Sequence, residues 1–345
     1  MTRTRRAQVT LADVARVSRV SIMTVSNVLN GGGRASDDTR MRVREAAASL
    51  GYVPNLSASR LAGAGLSRVG VIYNSGESAF QTTLTAAIAT EAASRGLQLL
   101  FRPLLTRKPE RVRDLAQELV SSGAEAIILV PPYAEMLDVG AMTELGVPLA
   151  GLVTASPIEG MATARIDNVG AAQAVTTLLL DQGHERIGIV VGPLNHSDSI
   201  ARRDGHRAAL IARGLTPSDE LEAQGDFGFA SGIACADQLL DLEHPPTAIV
   251  AANDEMAAGV LWAANRRGLR LPDDLAVCGF DDTLLATRVW PTLTTIRQPL
   301  AEMAGQAMEA LKTAFRNRSD APAATDAVLP FTLIQRGSTK PKVQP

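Results

Sequence analysis

From residue 69 onward the chain repeats one pattern: a short run made wholly of apolar residues, then a longer amphipathic stretch. The runs are VGVIY (69–73), LQLLF (97–101), AIILVP (126–131), PLAGLV (148–153), IGIVVG (187–192), TAIVAAN (247–253) and LAVCGFD (275–281). Several of the intervening stretches end in glycine, at Gly96, Gly123, Gly183, Gly214 and Gly268. Strands that are apolar on every residue, not on alternate ones, are covered on both faces. That requires parallel sheets with helices above and below. About 270 residues is too much for one open sheet, so the rhythm predicts two similar α/β lobes with a cleft between them.

The first 63 residues read differently. They hold ten arginines against four acids, a net of +6, so with −2 for the whole 345-residue chain the remainder carries −8. A small basic unit on an acidic body points to a polyanion partner for the first part alone. VTLADVARV opens with Thr10 and has Asp13 three residues on, a capping box ahead of a helix. SRVS turns into a second helix capped by Ser21, and Ser36 caps a third, DDTRMRVREAAASL, which ends at Gly51. Three short helices with a tight first connection describe a helix-turn-helix module.

The second helix, SIMTVSNVLN, has an unusual outer face. At 100° per residue Val25, Val28 and Leu29 form a core-facing stripe, and Ile22, Met23, Ser26 and Asn27 fall opposite. A solvated helix carries Lys and Glu there, so this face calls for a partner. Such modules set the start of the second helix in the DNA major groove. Next, PNLSASRLAGAGLS holds about two turns of helix, too short to be stable alone in water. It reads as a linker that folds only with help.

Other classes are excluded in turn. With 46 % hydrophobic and 20 % charged residues the composition is that of a soluble globular protein. No apolar run reaches 18 residues, and the basic start MTRTRR lacks an apolar segment after it, so neither a membrane span nor a secretory signal is expected. Cys235 and Cys278 sit in apolar segments without ligand spacing and read as buried thiols in a reducing, cytoplasmic setting. No nucleophile elbow, Walker loop or dinucleotide fingerprint appears, and the four histidines are scattered, His184 in GHERIG reading as a turn residue. Neither an enzyme nor a cofactor or metal is expected.

Ligands of open α/β sheets bind at the carboxyl ends of the strands. Asn74 and Ser75, Asp167 and Asn168, Asn195, Asn253 and Asp254, and Asp281 and Asp282 fall there, with Arg202 on the helix after Gly192. Carboxylates, carboxamides and an arginine suit the vicinal hydroxyls of a sugar. Helix N-capping accounts for the same residues equally well, and spacing alone leaves both readings open.

The motifs VTLADVA, TVSNVLN, TRMRVREAAASLGYVPN, DNVGAA, GHERIGIVVGP, ANDEMAAGVLWAANRRGLRLPDDLAVCGFDD and LTTIRQP, in this order and spacing, resemble the lac repressor/galactose repressor family of bacterial transcription regulators from about residue 9 to 336. The resemblance implies an all-α helix-turn-helix headpiece (1–53), a hinge helix (54–66) and a two-lobed α/β body like periplasmic sugar-binding proteins (67–345). In that body the first lobe takes about 67–165 and 299–326, and the second about 166–298 and 327–345. It implies a homodimer on a near-palindromic double-stranded DNA operator, nucleoid-associated when bound. Ile22, Met23 and Asn27 fall at base-reading positions; Thr10, Ser21, Thr24, Ser26, Asn30 and, in the linker, Asn55 join the DNA-binding set. Ala58 and Leu61 are placed to press into the minor groove, Leu61 as a wedge. For the effector it implies Arg202, Asn253 and Asp281, with Phe227 as a stacking platform, Phe80, Gln298 and the strand-end Asn74. Three departures stand out: Asn27 replaces the family's usual arginine, Arg19 a common turn glycine, and Val153 an acid that holds sugar in the lac repressor.

The leading expectation is an allosteric repressor of sugar-utilisation genes, released by a sugar or sugar phosphate. A corepressor-dependent regulator of the purine-repressor kind is the alternative, disfavoured by only 3 % aromatic residues. A plain sugar-binding receptor does not explain the basic first 63 residues. GSTKPKVQP ends the chain without a heptad tail, so a coiled-coil tetramer is not expected.

Overall fold

A computed structural model describes residues 9–29, 35–50, 52, 66–74, 76, 78–106, 108–138, 140, 143–316 and 325–339. Asn30, Ser75 and residues 54–65 of the expected hinge, with Asn55, Ala58 and Leu61, lie outside them. The chain divides into two compact units, Met1–Gly65 and Leu66–Pro345.

In the first unit α1 (Leu11–Ser18), α2 (Ile22–Leu29) and α3 (Asp37–Leu50) enclose Val14, Ala15, Val25, Val28, Val43, Ala46 and Ala47. Valine and alanine make a thin core; each fully buried valine contributes about 1.5 kcal/mol or a little more. The helix ends therefore matter. Thr10 Oγ1 accepts from the Asp13 N–H (3.3 Å), while the Asp13 carboxylate accepts from the Thr10 N–H (3.0 Å), closing the capping box. Ser21 Oγ accepts from the Thr24 N–H at 3.0 Å, and Ser36 Oγ from that of Thr39 at 3.4 Å. α1 stops because Arg19 turns left-handed (φ 56°), its N–H returning to the Ala15 carbonyl. An L-residue pays about 1 kcal/mol for that conformation, which glycine adopts freely.

The second unit is built from β1 (Arg68–Asn74), α4 (Ala79–Ser94), β2 (Gln98–Leu104), α5 (Pro109–Ser121), β3 (Ala126–Leu129), β4 (Leu149–Leu152), β5 (Ala162–Ile166), α6 (Asn168–Asp181), β6 (Ile187–Val191), α7 (Ser197–Ala212), β7 (Glu222–Gln224), α8 (Phe229–Leu240), β8 (Ala248–Ala251), α9 (Asp254–Arg266), β9 (Ala276–Cys278), β10 (Thr295–Arg297), α10 (Leu300–Arg316), β11 (Asp326–Leu329) and β12 (Thr332–Ile334). One parallel sheet runs β11-β5-β4-β3-β1-β2 and a second runs β7-β6-β8-β9. β10 and β12 pair antiparallel beside them. The two expected lobes are these two sheets with their helices.

The chain passes between lobes three times: from β5 to α6, from β10 to α10, and from β11 to β12. The third passage corrects the expected boundary near 326. β11 is the edge strand of the first sheet, with Leu329 opposite Ile166, so the chain leaves that lobe only after Leu329. A bidentate pair of Arg165 with Asp326 (2.9 and 2.7 Å) fastens this edge.

All seven runs read as strands contain strands, and AIILVP pairs as far as Val130, whose N–H donates to the Ile72 carbonyl at 3.2 Å. Pro131 and Pro132 have no N–H to give a ladder. β5, β7, β10, β11 and β12 were not anticipated. Cys235 and Cys278 are buried and unbridged, and burial raises both thiols, Cys235 to about 11. Among the described residues no helix is long and apolar enough to cross a membrane, and no group of three or more His, Cys, Asp or Glu is placed to hold a metal.

Candidate functional site

Two surfaces carry the candidate residues, one on each unit. On α2, Val25 and Val28 are buried, while Ile22 and Met23 are 53 % and 72 % exposed and Asn27 is exposed. Ser21, Thr24 and Ser26 flank this face. The Ser21 hydroxyl also bonds that of Thr24 (2.8 Å), so it caps the helix while sitting at its exposed start. Thr10 Oγ1 donates to Asp13 (2.8 Å), and the paired bonds hold the Asp13 carboxyl below its usual range. A carboxamide flanked by two apolar side chains has the chemistry to pair with adenine and pack on thymine methyls.

On the body, the carboxyl ends of the strands face one another across a cleft. A cavity of about 290 Å³ there is lined from the first lobe by Asn74, Ser78, Phe80, Gln81, Pro131, Pro132 and Val153. From the second it is lined by His196, Asp198, Arg202, Asp226, Phe227, Asn253 and Asp281. The first wall is largely apolar and the second largely ionic. Of the expected effector residues, Asn74, Phe80, Arg202, Phe227, Asn253 and Asp281 all reach the cavity. Gln298 does not, which corrects the expectation: it lies behind Asp281 and donates Nε2 to its Oδ1 at 2.7 Å.

Arg202, on α7, is buried and held on several sides. Its Nε donates to Asn168 Oδ1 (2.9 Å), its Nη1 to the Ala252 carbonyl (2.6 Å), and its Cζ lies 3.6 Å over the Phe280 ring. Asp281 Oδ1 stands 3.9 Å from Nη1. Asn168 also donates to Asp198 Oδ1 at 3.1 Å, so one carboxamide sets both the arginine and an acid. Burial pushes Asp281 up to about 8 and Asp198 to about 6, although Arg202 pulls each down; Glu135 adds to the rise at Asp198.

The capping account of the strand-end residues holds for some of them. Asp167 caps α6 and Asn253 caps α9 through the Met256 N–H (3.0 Å). Asn253 does more: its Nδ2 donates to the Phe227 carbonyl at 2.9 Å. Phe227 is left-handed (φ 71°) and its ring stands edge-on to His196 with centroids 5.3 Å apart. Only a glycine fits at 192, because a Cβ there would come within 2.4 Å of the Phe227 ring. Asp254 sits behind the wall, accepting from the Thr283 N–H (2.7 Å) and the Thr295 hydroxyl (2.6 Å). His184 closes the turn between α6 and β6 by its Nδ1 bond to Thr247.

Val153, in place of a sugar-binding acid, is buried on the apolar wall with φ 55°. A β-branched residue in that region stores roughly 1–3 kcal/mol of strain, and such strain gathers at ligand sites. Asp198 was missed from the sequence, yet a signal existed: it stands four residues before Arg202 and so shares its helix face. His196 and Asp226 lie in loops without periodicity and gave none.

Two contacts join the lobes at the cleft. Glu135 of the first lobe accepts from the Ala155 N–H (2.9 Å) and from the Ser197 hydroxyl at the start of α7. In the opposite direction Glu255 of α9 accepts from the Ala79 N–H at the start of α4, at 2.9 Å. Each carboxylate sits at a helix N-terminus of the other lobe, where the backbone dipole favours negative charge.

Comparison with known proteins matches segments in both units of the chain. Residues 10–55 match the family described as bacterial regulatory proteins, lacI family, and residues 176–339 match the periplasmic binding protein-like domain. The regulator DegA of Bacillus subtilis is 33 % identical, covering 96 % of this chain and 98 % of its own. GalR of Escherichia coli is 32 % identical, covering 95 % of each. Among solved structures, the lac repressor dimer bound to operator and the anti-inducer ONPF superposes with a TM-score of 0.71 at 27 % identity, covering 96 % of this chain and 99 % of that one. A complex of the regulator CelR with cellobiose gives 0.70 at 28 % identity, covering 96 % and 100 %. With a helix-turn-helix unit and a two-lobed ligand-binding body matched over nearly its whole length, the chain belongs to the lac repressor family of DNA-binding transcriptional regulators.

Proposed function

We propose that this regulator is a repressor of carbohydrate-utilisation genes, released from a near-palindromic operator when a sugar or sugar phosphate occupies the cleft. The observation that carries this reading is the cavity itself. Arg202, Asp198, Asp281 and Asn253 offer donors and acceptors on one side with the Phe227 ring among them, and Phe80, Pro131, Pro132 and Val153 offer an apolar wall on the other. A pyranose has the matching division, hydroxyls at its rim and C–H groups on its face. The sugars named for CelR and the lac repressor complexes support the class of ligand. The α2 face supplies the DNA contacts, with Ile22, Met23 and Asn27 at bases and Ser21, Thr24 and Ser26 at phosphates.

The repressor acts as a homodimer, each subunit reading one half-site. Large exposed apolar groups on the body support self-association: Trp262 on α9, and Leu284 and Trp290 (84 % exposed) in the segment after β9. Light scattering that finds only monomers at micromolar concentration refutes the dimer.

Fluorescence anisotropy on DNA from upstream of the protein's own gene, at fixed and stated salt, tests the regulatory logic. Release of that DNA by one sugar or sugar phosphate is expected. Tightening by a metabolite, with no sugar causing release, replaces induction by corepression.

A further inference from the structure

The charges on the cleft wall do not balance. Arg202 faces three acids on the same cavity, Asp198, Asp226 and Asp281. Much of the guanidinium is already engaged by Asn168, Ala252 and the Phe280 ring. Among the described residues its Nη2 has no acceptor, while Nη1 has one, the Ala252 carbonyl.

The helix N-termini of the second lobe carry acids as well. Proteins hold phosphate with forked arginines or with the free N–H groups that open a helix. α7 carries Asp198 in its first turn, and α9 carries Asp254 and Glu255. Ahead of α8, the Gly228 N–H already donates to Asp226 Oδ1 at 2.8 Å. Each of these three helix starts carries one of the protein's own carboxylates in or just before its first turn, which disfavours an anion there.

What the wall does offer is acceptors. Asp198 and Asp281 each have one oxygen bonded, to Asn168 and Gln298, and the second oxygen, Oδ2, without a hydrogen-bond partner among the described residues. We infer that the effector is an uncharged polyhydroxyl molecule, which donates hydroxyl hydrogens to Asp198 and Asp281, accepts from Arg202 Nη2, and is discriminated from its phosphorylated or carboxylated forms by the surplus of acids. The inference rests on the sugar reading above and narrows it. Asp198 and Asp226, which line the cavity with Arg202, outnumber its one guanidinium, itself largely engaged by Asn168 and Ala252, so a ligand anion meets a wall of net negative charge.

Titration calorimetry on the full-length protein at pH 7.5 tests this with matched pairs: glucose, galactose and cellobiose, each against its 6-phosphate or 6′-phosphate. Inorganic phosphate alone serves as a probe that does not depend on which sugar is correct. The sugar that binds is expected to do so about tenfold or more tightly than its own phosphate ester, and millimolar inorganic phosphate to leave the melting temperature unchanged. The near-isosteric Asp198→Asn removes one negative charge, and the sugar-to-ester ratio should fall by about threefold or more. An ester as tight as its parent sugar overturns the inference while leaving a sugar-type effector in place. Protection by inorganic phosphate that Arg202→Gln abolishes overturns it too, as does a ratio that Asp198→Asn does not move. A panel in which nothing binds, free or esterified, defeats the sugar reading and this inference with it.

Discussion

The two surfaces are built in opposite ways. The α2 face comes from eight consecutive residues, lies open, and stands on a core of valines and alanines. The cleft draws residues from positions 74 to 281, buries its ions, and is backed by two sheets. A local site can be altered residue by residue, because each side chain answers mainly to the solvent or the DNA. In the cleft, Asn168 holds both Arg202 and Asp198, and Gln298 holds Asp281, so a change at one position is felt at several.

The largest effect that contrast predicts is for Arg202→Ala. Removing the cation from among buried carboxylates should cost about 3 kcal/mol of body stability and abolish the effector response. Operator binding by the first unit should survive. Thermal unfolding and DNA titrations check both halves, and a variant still released by effector refutes the cleft assignment.

Acidity is a second way to probe the buried side. Asp198, Asp254 and Asp281 are raised to about 6, 6 and 8, from 3.8, so the folded body holds protons that the unfolded chain has lost. Their contribution to stability is full below about pH 4 and is lost as pH rises through 6 and 8. His206, lowered by burial to about 4, acts in the other direction: its share is present above pH 6.5 and is lost as pH falls through 4. Asp281→Asn should flatten the alkaline side of a plot of melting temperature against pH, where one group accounts for at most about 1.4 kcal/mol per pH unit. A slope unchanged between pH 6 and 8 would show that Asp281 is not the group titrating.

On the open surface the effects are smaller and separable. Asn27→Ala should weaken operator binding by about 1–3 kcal/mol and leave non-specific DNA binding nearly intact; equal loss on both sequences would make Asn27 a phosphate contact instead. Smallest of all, Arg19→Gly should raise the stability of the first unit by about 0.5–1 kcal/mol, because glycine adopts the left-handed turn without strain. A loss of stability would mean that the arginine side chain contributes more than its backbone costs.

The same contrast explains what the sequence could reveal. α2 and α3 were legible because capping and periodicity are local signals, and the long apolar strands because burial on both faces leaves nothing polar in them. β5, with Thr163 and Arg165 in its five residues, shows no continuous apolar run, and its partner Asp326 stands 161 residues away. β7, β10 and β12 have three residues each, too few for any period to show. Asn253 and Asp281 could be nominated from their places at strand ends. That Gln298 stops behind Asp281, and that Asp198 reaches the cavity, depends on packing between elements that no spacing encodes.

The reciprocal carboxylates across the cleft bear on how such a body can be recombined. Glu135 needs the start of α7 in the other lobe, and Glu255 needs the start of α4 in the first. A chimera that takes one lobe from this chain and the other from a relative inherits one half of each contact. Unless the donor supplies a hydroxyl opposite Glu135 and a free helix start opposite Glu255, both acids are left facing backbone they were not matched to. The natural unit of exchange is therefore the lobe pair, and a new effector specificity is better sought by changing the cavity wall than by transplanting a lobe.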